Sequence, residues 1–134
     1  MSAGHISLGK AGEQLAGAYL QTQGFEVVST NWRCRGGELD IICSFRNLLL
    51  FVEVKTRTDQ DRGLPGEALN EKKKQRLVKA ASTYLSRQKS WDRPTRFDLI
   101  AVSFDAKGFR LEHITDVIQI SQTMAGCHAN WQPW

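Results

Sequence analysis

The sequence predicts a mixed α/β domain, a sheet flanked by helices in the order α-β-β-β-α-β with room for a further strand. Three observations predict it. Two stretches, Ser7 to Gln23 and Glu67 to Gln88, repeat apolar residues at helical spacing. Between and after them lie short apolar runs bounded by turn residues. The composition, 41% hydrophobic and 24% charged over 134 residues, suits one folded domain rather than a disordered chain.

Each element has its own warrant. In the first helix Leu8, Ala11, Leu15, Ala18 and Tyr19 form the expected buried face, and Gly24 ends it. Phe25 to Ser29 reads as a short strand, and "TNWRCRGG" after it as a donor-rich loop. Glu38–Cys43 and Leu48–Lys55 are the next two strands, joined through a hairpin turn at Arg46-Asn47. "TRTDQDRGLPGE" lacks periodicity and is a loop. The second helix carries the stripe Leu69, Leu77, Val78, Ala81, Tyr84 and Leu85. Arg96 to Phe104 is a strand, "DAKG" a turn, and Phe109 to Ile114 a last strand. One domain, 1–134, is expected, with its core at about 7–118 and an irregular tail at about 119–134.

Several function classes fall away. The first residues, "MSAGHISLGKAGEQ", lack a basic segment followed by an apolar one, so no signal peptide is expected. The longest aliphatic run, Leu48 to Val52, is too short to span a bilayer. Cys34, Cys43 and Cys127 form no C-x-x-C pair, so a disulfide framework is not expected and a reducing cytoplasm is. His5, His113 and His128 are scattered, and Cys127-His128 has no second ligand pair beside it. The net charge of +4 permits an anionic partner without requiring one.

The hairpin carries charges where a strand core would sit. Side chains alternate along a strand, so Glu53 and Lys55 share a face with Phe51. A turn centred on Arg46-Asn47 sets Asp40 opposite Glu53, with Cβ atoms roughly 4.5–5.5 Å apart. Two opposed carboxylates repel, and a divalent cation reverses that sign. A lysine beside such an ion can orient water or offset charge developing on a phosphate. The plain alternative is a salt-bridge cluster on a partly exposed face. Glu13 lies on a helix flank of small residues, Gly9, Ala16 and Gly17, together with Leu20; its plain alternative is an ordinary surface glutamate.

A Glu-bearing helix followed by D-(x)n-E-x-K on a hairpin resembles the PD-(D/E)xK nuclease superfamily. "GKAGEQLAGAYLQTQGFEVVSTNWRCRGGELDII", "LLFVEVKTR" and "RFDLIAV" are similar to the YraN-type family of small bacterial proteins, predicted nucleases related to archaeal Holliday-junction resolvases. The likeness covers about Leu8 to Val102. It implies a restriction-endonuclease-like core and a Mg²⁺- or Mn²⁺-dependent endonuclease acting on DNA, branched or structured in the resolvase manner. It implies Asp40 and Glu53 as metal ligands with the Val54 carbonyl as a third, Lys55 positioning the attacking water, and Glu13 ligating or supporting the metal. Leu39 stands where the motif's proline would be. A homodimer is also implied, since a symmetric junction suits a two-fold pair of sites.

Basic residues extend from this motif. Lys72, Arg76 and Lys79 share one helix face, flanked by Lys73 and Lys74. Arg33, Arg35, Arg57 and Arg62 lie near the charged hairpin in sequence. All suit phosphate contacts, and all equally suit a solvated surface. Trp32 suits base stacking or, more simply, a place in the core. Asp98 is expected to pair with Arg96 or Arg33, without a chemical role. Beside the nuclease stand two other readings: a non-catalytic nucleic-acid-binding module on the same fold, and an adaptor whose basic stripe serves solubility.

Overall fold

The computed structural model describes residues 7–58 and 69–119. The elements run α1 (Leu8–Thr22), β1 (Glu26–Cys34), β2 (Gly37–Phe45), β3 (Leu48–Thr58), α2 (Glu71–Gln88), β4 (Thr95–Asp105) and β5 (Gly108–Ile114). They build a five-stranded sheet in the order β1-β2-β3-β4-β5, antiparallel except for the parallel pair β3–β4. The connection through α2 is what makes that one pair parallel, because parallel neighbours need a crossover.

The sheet divides the core into two layers. Ile41, Cys43, Leu50, Val52, Ile100 and Val102 pack with Ala16 and Leu20 of α1. Leu39, Ile42, Leu49, Phe51, Phe97 and Leu99 pack with Leu77, Ala80, Ala81, Tyr84 and Leu85 of α2. The central strands are therefore covered on both faces, which explains their nearly continuous apolar runs. Each helix is capped at its start. Ser7 Oγ accepts from the Lys10 amide at 3.2 Å, and Asn70 Oδ1 from the Lys73 amide at 2.8 Å. No helix among the described residues is long and apolar enough to cross a membrane.

Three expectations need correction. "TNWRCRGG" is mostly strand: β1 continues through Cys34 and pairs Trp32 with Leu39. Its donor-rich look misled because an irregular edge strand tolerates polar residues; the register shifts between Val27 and Ser29, and Asn31 holds a φ of 52°. The buried face of α1 is Gly12, Ala16 and Leu20, flanked by Leu15 and Tyr19, whereas Leu8 is 43% exposed and Ala18 is exposed. Small residues win because α1 lies close to the sheet: a Cβ on Gly12 would collide with the Thr56 side chain of β3. The second helix begins at Glu71 rather than Glu67, because Asn70 is extended and caps it and Leu69 precedes the cap; residues 67–68, Arg62 and the tail beyond Gln119 lie outside the described residues.

Other expectations hold. The hairpin turns at Arg46-Asn47, with Arg46 at φ 55°. Gly24, at φ 96°, follows the end of α1. Trp32 packs edge-on against Tyr84 with ring centroids 5.3 Å apart, so the tryptophan belongs to the α2 layer. Burial pushes the Cys43 thiol up to about 12, which makes it a core residue and a poor nucleophile.

Candidate active site at the β2–β3 fork

The register of the hairpin is the one that sets Asp40 against Glu53, for Ile41 pairs with Val52 and Phe45 with Leu48. The ladder then stops. Beyond Ile41–Val52, β2 continues with β1 and β3 continues with β4, so the two strands part. Two details mark the opening. Leu39 and Ile42 face α2 while Ile41 faces α1, so the alternation of β2 breaks around Asp40. The Val54 amide, at the next step of β3, donates to Asp40 Oδ2 at 2.9 Å. A carboxylate has taken the place of a strand partner.

The fork thus holds Asp40 on one arm and Glu53 on the other, where the carboxyl-terminal half of the parallel strand β3 begins. Open α/β sheets bind their ligands outside such strand ends. Glu53 is 7% exposed. A cleft of ≈ 250 Å³ lies over the pair, lined by Gly37, Glu38, Asp40, Glu53, Lys73, Arg76 and Leu77. Lys73 Nζ reaches Glu53 Oε2 at 2.7 Å.

Electrostatics single out Asp40. Its carboxyl is raised from 3.8 to about 7, first by burial and next by the Glu53 charge. Glu13 from α1 adds to this, as does a hydrogen bond between the Asp40 and Glu53 side chains, and the Val54 amide opposes it. A carboxyl held near neutrality by burial and a like charge is a frequent mark of functional sites. It accepts a proton readily for the same reason that it would accept a metal cation.

The sequence-predicted residues are placed unequally. Asp40 and Glu53 come together, and Val54 binds Asp40 through its amide. Glu13 is near enough to act on Asp40 electrostatically and is half-buried beside the Gly12–Ala16–Leu20 ridge. Among the described residues no three His, Cys, Asp or Glu side chains close into a metal cage. The donor set is therefore the carboxylate pair, to be completed by main-chain, solvent or phosphate oxygens. That fits Mg²⁺ or Mn²⁺, which take one or two carboxylates and keep several waters. Lys55 is exposed on β3, two residues beyond Glu53.

Of the basic residues, Arg76 lines the cleft, and Lys72 and Lys79 are exposed on α2. Arg33 pairs with Glu38 at 3.4 Å, Arg35 sits at the β1–β2 turn, and Arg57 lies in β3 opposite Ser103. Lys73 departs from its expected role as a surface phosphate contact, because its ammonium is turned inward to Glu53. The signal was in the helical spacing: Lys73, Leu77, Ala80 and Tyr84 continue one stripe, so a residue four before Leu77 points at the sheet.

A second polar cluster lies on the α1 side of the sheet. Asp98, with a fully buried side chain, accepts two hydrogen bonds from Arg96 at 2.9 and 2.8 Å and one from the Asp116 amide at 2.9 Å. His113 Nε2 lies 2.7 Å from the same carboxylate, and His113 Nδ1 lies 2.8 Å from the Tyr19 hydroxyl on α1. Burial alone would raise the Asp98 carboxyl, but the His113, Arg96 and Asp116 contacts outweigh it and hold it below the usual range. Arg96, not Arg33, is the partner.

Comparison with known proteins shows the family of the chain. The profile of "Uncharacterised protein family UPF0102" matches residues 12–102. The chain belongs to the UPF0102 family. A UPF0102 protein of Nitratidesulfovibrio vulgaris is 43% identical over 126 residues, covering 94% of each chain. One from Geobacter metallireducens is 39% identical over 121 residues, 90% of this chain and 99% of that one. One from Caldanaerobacter subterraneus subsp. tengcongensis is 36% identical over 112 residues, 84% and 92% of the two chains. The YraN-type likeness of the sequence holds at the level of this family, and the matched span contains Glu13, Asp40, Glu53, Lys55 and Lys73.

Proposed function

We propose that this UPF0102 protein is a divalent-metal-dependent endonuclease that hydrolyses phosphodiester bonds in DNA, with branched or structured DNA as its preferred substrate. The observation that carries the proposal is the Asp40–Glu53 pair: two carboxyls brought together at a strand fork and lining one cleft, one of them raised to about 7 by burial and by the charge of the other. Binding a polyanion does not call for such a pair, whereas holding a cation does. When bound, Mg²⁺ or Mn²⁺ would polarise a phosphate oxygen and acidify a water.

The chain's own groups supply the rest. Asp40 and Glu53 fix the position of the cation, with the Val54 amide holding Asp40 in place. Lys55 orients the water that attacks phosphorus as the bond from phosphorus to the departing sugar oxygen breaks. Arg76 at the cleft, with Lys72 and Lys79 along the exposed side of α2, contacts the strand backbone. Arg33, Arg35 and Arg57 extend the contact around the fork. A two-fold pair of chains would bring two such sites to a symmetric junction.

One observation favours a second reading, a binding module on the same fold without cleavage: Lys73 already offsets the Glu53 charge without a metal. A cleavage assay decides between them. End-labelled four-way junction, flap, single-stranded and duplex DNA are incubated with the protein and Mg²⁺ or Mn²⁺, beside Lys55→Ala. Metal-dependent cutting that disappears in Lys55→Ala is the expected result. Folded protein that binds these DNAs and cuts none of them selects the binding module.

A further inference from the structure

The Lys73–Glu53 contact differs from an ordinary surface ion pair in three respects. The acidic partner is dry and the basic one wet: the Glu53 side chain is 8% exposed and the Lys73 side chain 43%. The Lys73 main chain is fixed, because its amide donates to the Asn70 cap at the start of α2. The contact lies in the same cleft as Asp40, beside Arg76. A flexible stem rooted on a capped turn can swing its ammonium from Glu53 into water with little loss of hydration.

We infer that Lys73 is a built-in competitor for the metal position: its ammonium occupies Glu53 in the metal-free protein and leaves when a divalent cation binds between Asp40 and Glu53. This rests on the metal-binding reading proposed above. The charge balance sets the direction. A single ammonium reaches Glu53 alone, at 2.7 Å, whereas a divalent ion between the two carboxylates neutralises both. The ion therefore displaces the lysine, and the displaced ammonium remains at the mouth of a cleft that would receive a phosphate. The arrangement keeps the buried Glu53 paired in the absence of metal, and it lowers the resting affinity for metal.

The test is direct Mn²⁺ binding to the full chain, followed by calorimetry and by the Mn²⁺ electron paramagnetic resonance signal. Wild type, Lys73→Met and Glu53→Gln are compared at one pH and ionic strength. Met keeps the length and apolar character of the lysine stem, and a melting curve checks that each variant folds. Loss of an ion-pair competitor should tighten Mn²⁺ binding about 3- to 30-fold in Lys73→Met. A permanent structural pair predicts the reverse, because an unsupported Glu53 would hold metal less well. Equal or weaker binding by a folded Lys73→Met, with wild-type binding that Glu53→Gln abolishes, overturns the inference and leaves the metal site standing. Absence of Mn²⁺ binding by wild type and Lys73→Met alike overturns both.

Discussion

Two aspartates, Asp40 and Asp98, sit on neighbouring parts of one sheet and titrate in opposite directions. Asp98 is held low because it has more hydrogen-bond donors than its burial costs it: a bidentate arginine, a histidine and a main-chain amide. Asp40 is raised to about 7 because burial and the Glu53 and Glu13 charges outweigh the Val54 amide that donates to it. The first arrangement is complete as it stands. It ties β4 and β5 to α1 through His113 and Tyr19. In the second the Lys73 ammonium pairs with Glu53 and no ion pair reaches Asp40 among the described residues, and that deficit distinguishes a site from a brace. Buried polar networks stabilise a fold when fully satisfied and are costly when they are not.

The largest expected effect breaks the comparison on the functional side. Asp40→Asn or Glu53→Gln should reduce cleavage by about 10²-fold or more while leaving a cooperative melting transition, since each removes a negative charge that the cation needs and keeps the shape of the side chain. Full-rate cleavage by Glu53→Gln would remove it from the metal site. Asp98→Asn should do the opposite. It leaves Arg96 and His113 facing a neutral amide and should cost about 3–5 kcal/mol of stability, read by denaturant titration.

Stability against pH sharpens the contrast. A group whose folded value is raised binds more protons folded than unfolded, so stability falls as pH rises from about 4 towards 7 through the Asp40 window. In metal-free protein, Asp40→Asn should therefore be more stable than wild type at pH 8, by roughly 2 kcal/mol, and should lose that advantage near pH 4. For Asp98 the folded value is lowered. Its contribution is full above the unfolded value and is lost as pH falls through the folded one, so Asp98→Asn should be most harmful at neutral pH. An Asp40→Asn variant less stable than wild type at pH 8 would show that the pair is satisfied without metal.

The sequence revealed the two regions unequally. The Asp40–Glu53 opposition was legible because a two-residue turn fixes hairpin register, and register fixes which side chains meet. The fork itself was not, since nothing local in "GGELD" says that β2 leaves β3 at Asp40. The Asp98 brace joins residues from α1, β4 and β5, and only tertiary structure brings Tyr19 to His113. Arg96–Asp98 was visible as a pair two residues apart on one strand face. Lys73 was misplaced for a different reason: grouping Lys72, Arg76 and Lys79 as a basic face was sound, but Lys73 continues the apolar stripe of Leu77 and Tyr84 and so turns inward. On α1 the apolar spacing of Leu8, Ala11, Leu15, Ala18 and Tyr19 points about one position away from the buried face, because close approach at Thr56 brings Gly12, with Ala16 and Leu20, to the sheet.

The smallest expected effect concerns the exposed basic face. Lys72 lies on the first turn of α2, on the side away from the Leu77 stripe, and it is exposed. No hydrogen bond or ion pair among the described residues uses its side chain, so Lys72→Ala should leave the melting temperature unchanged. If it contacts a phosphate, its removal should weaken DNA binding about equally for every sequence and reduce the slope of log K against log salt by roughly one. Binding is measured with Ca²⁺ in place of Mg²⁺, a choice meant to limit cleavage during the titration. Lys73→Ala in the same assay supplies the contrast. Its ammonium is paired with Glu53 rather than free in solvent. Without divalent ion its loss should change the salt slope less than the loss of Lys72, and with Ca²⁺ the two losses should become similar. A Lys73→Ala effect that stays as small with Ca²⁺ as without it would mean that Lys73 never leaves Glu53, and the fork would then resemble the Asp98 brace more than a site that exchanges one cation for another.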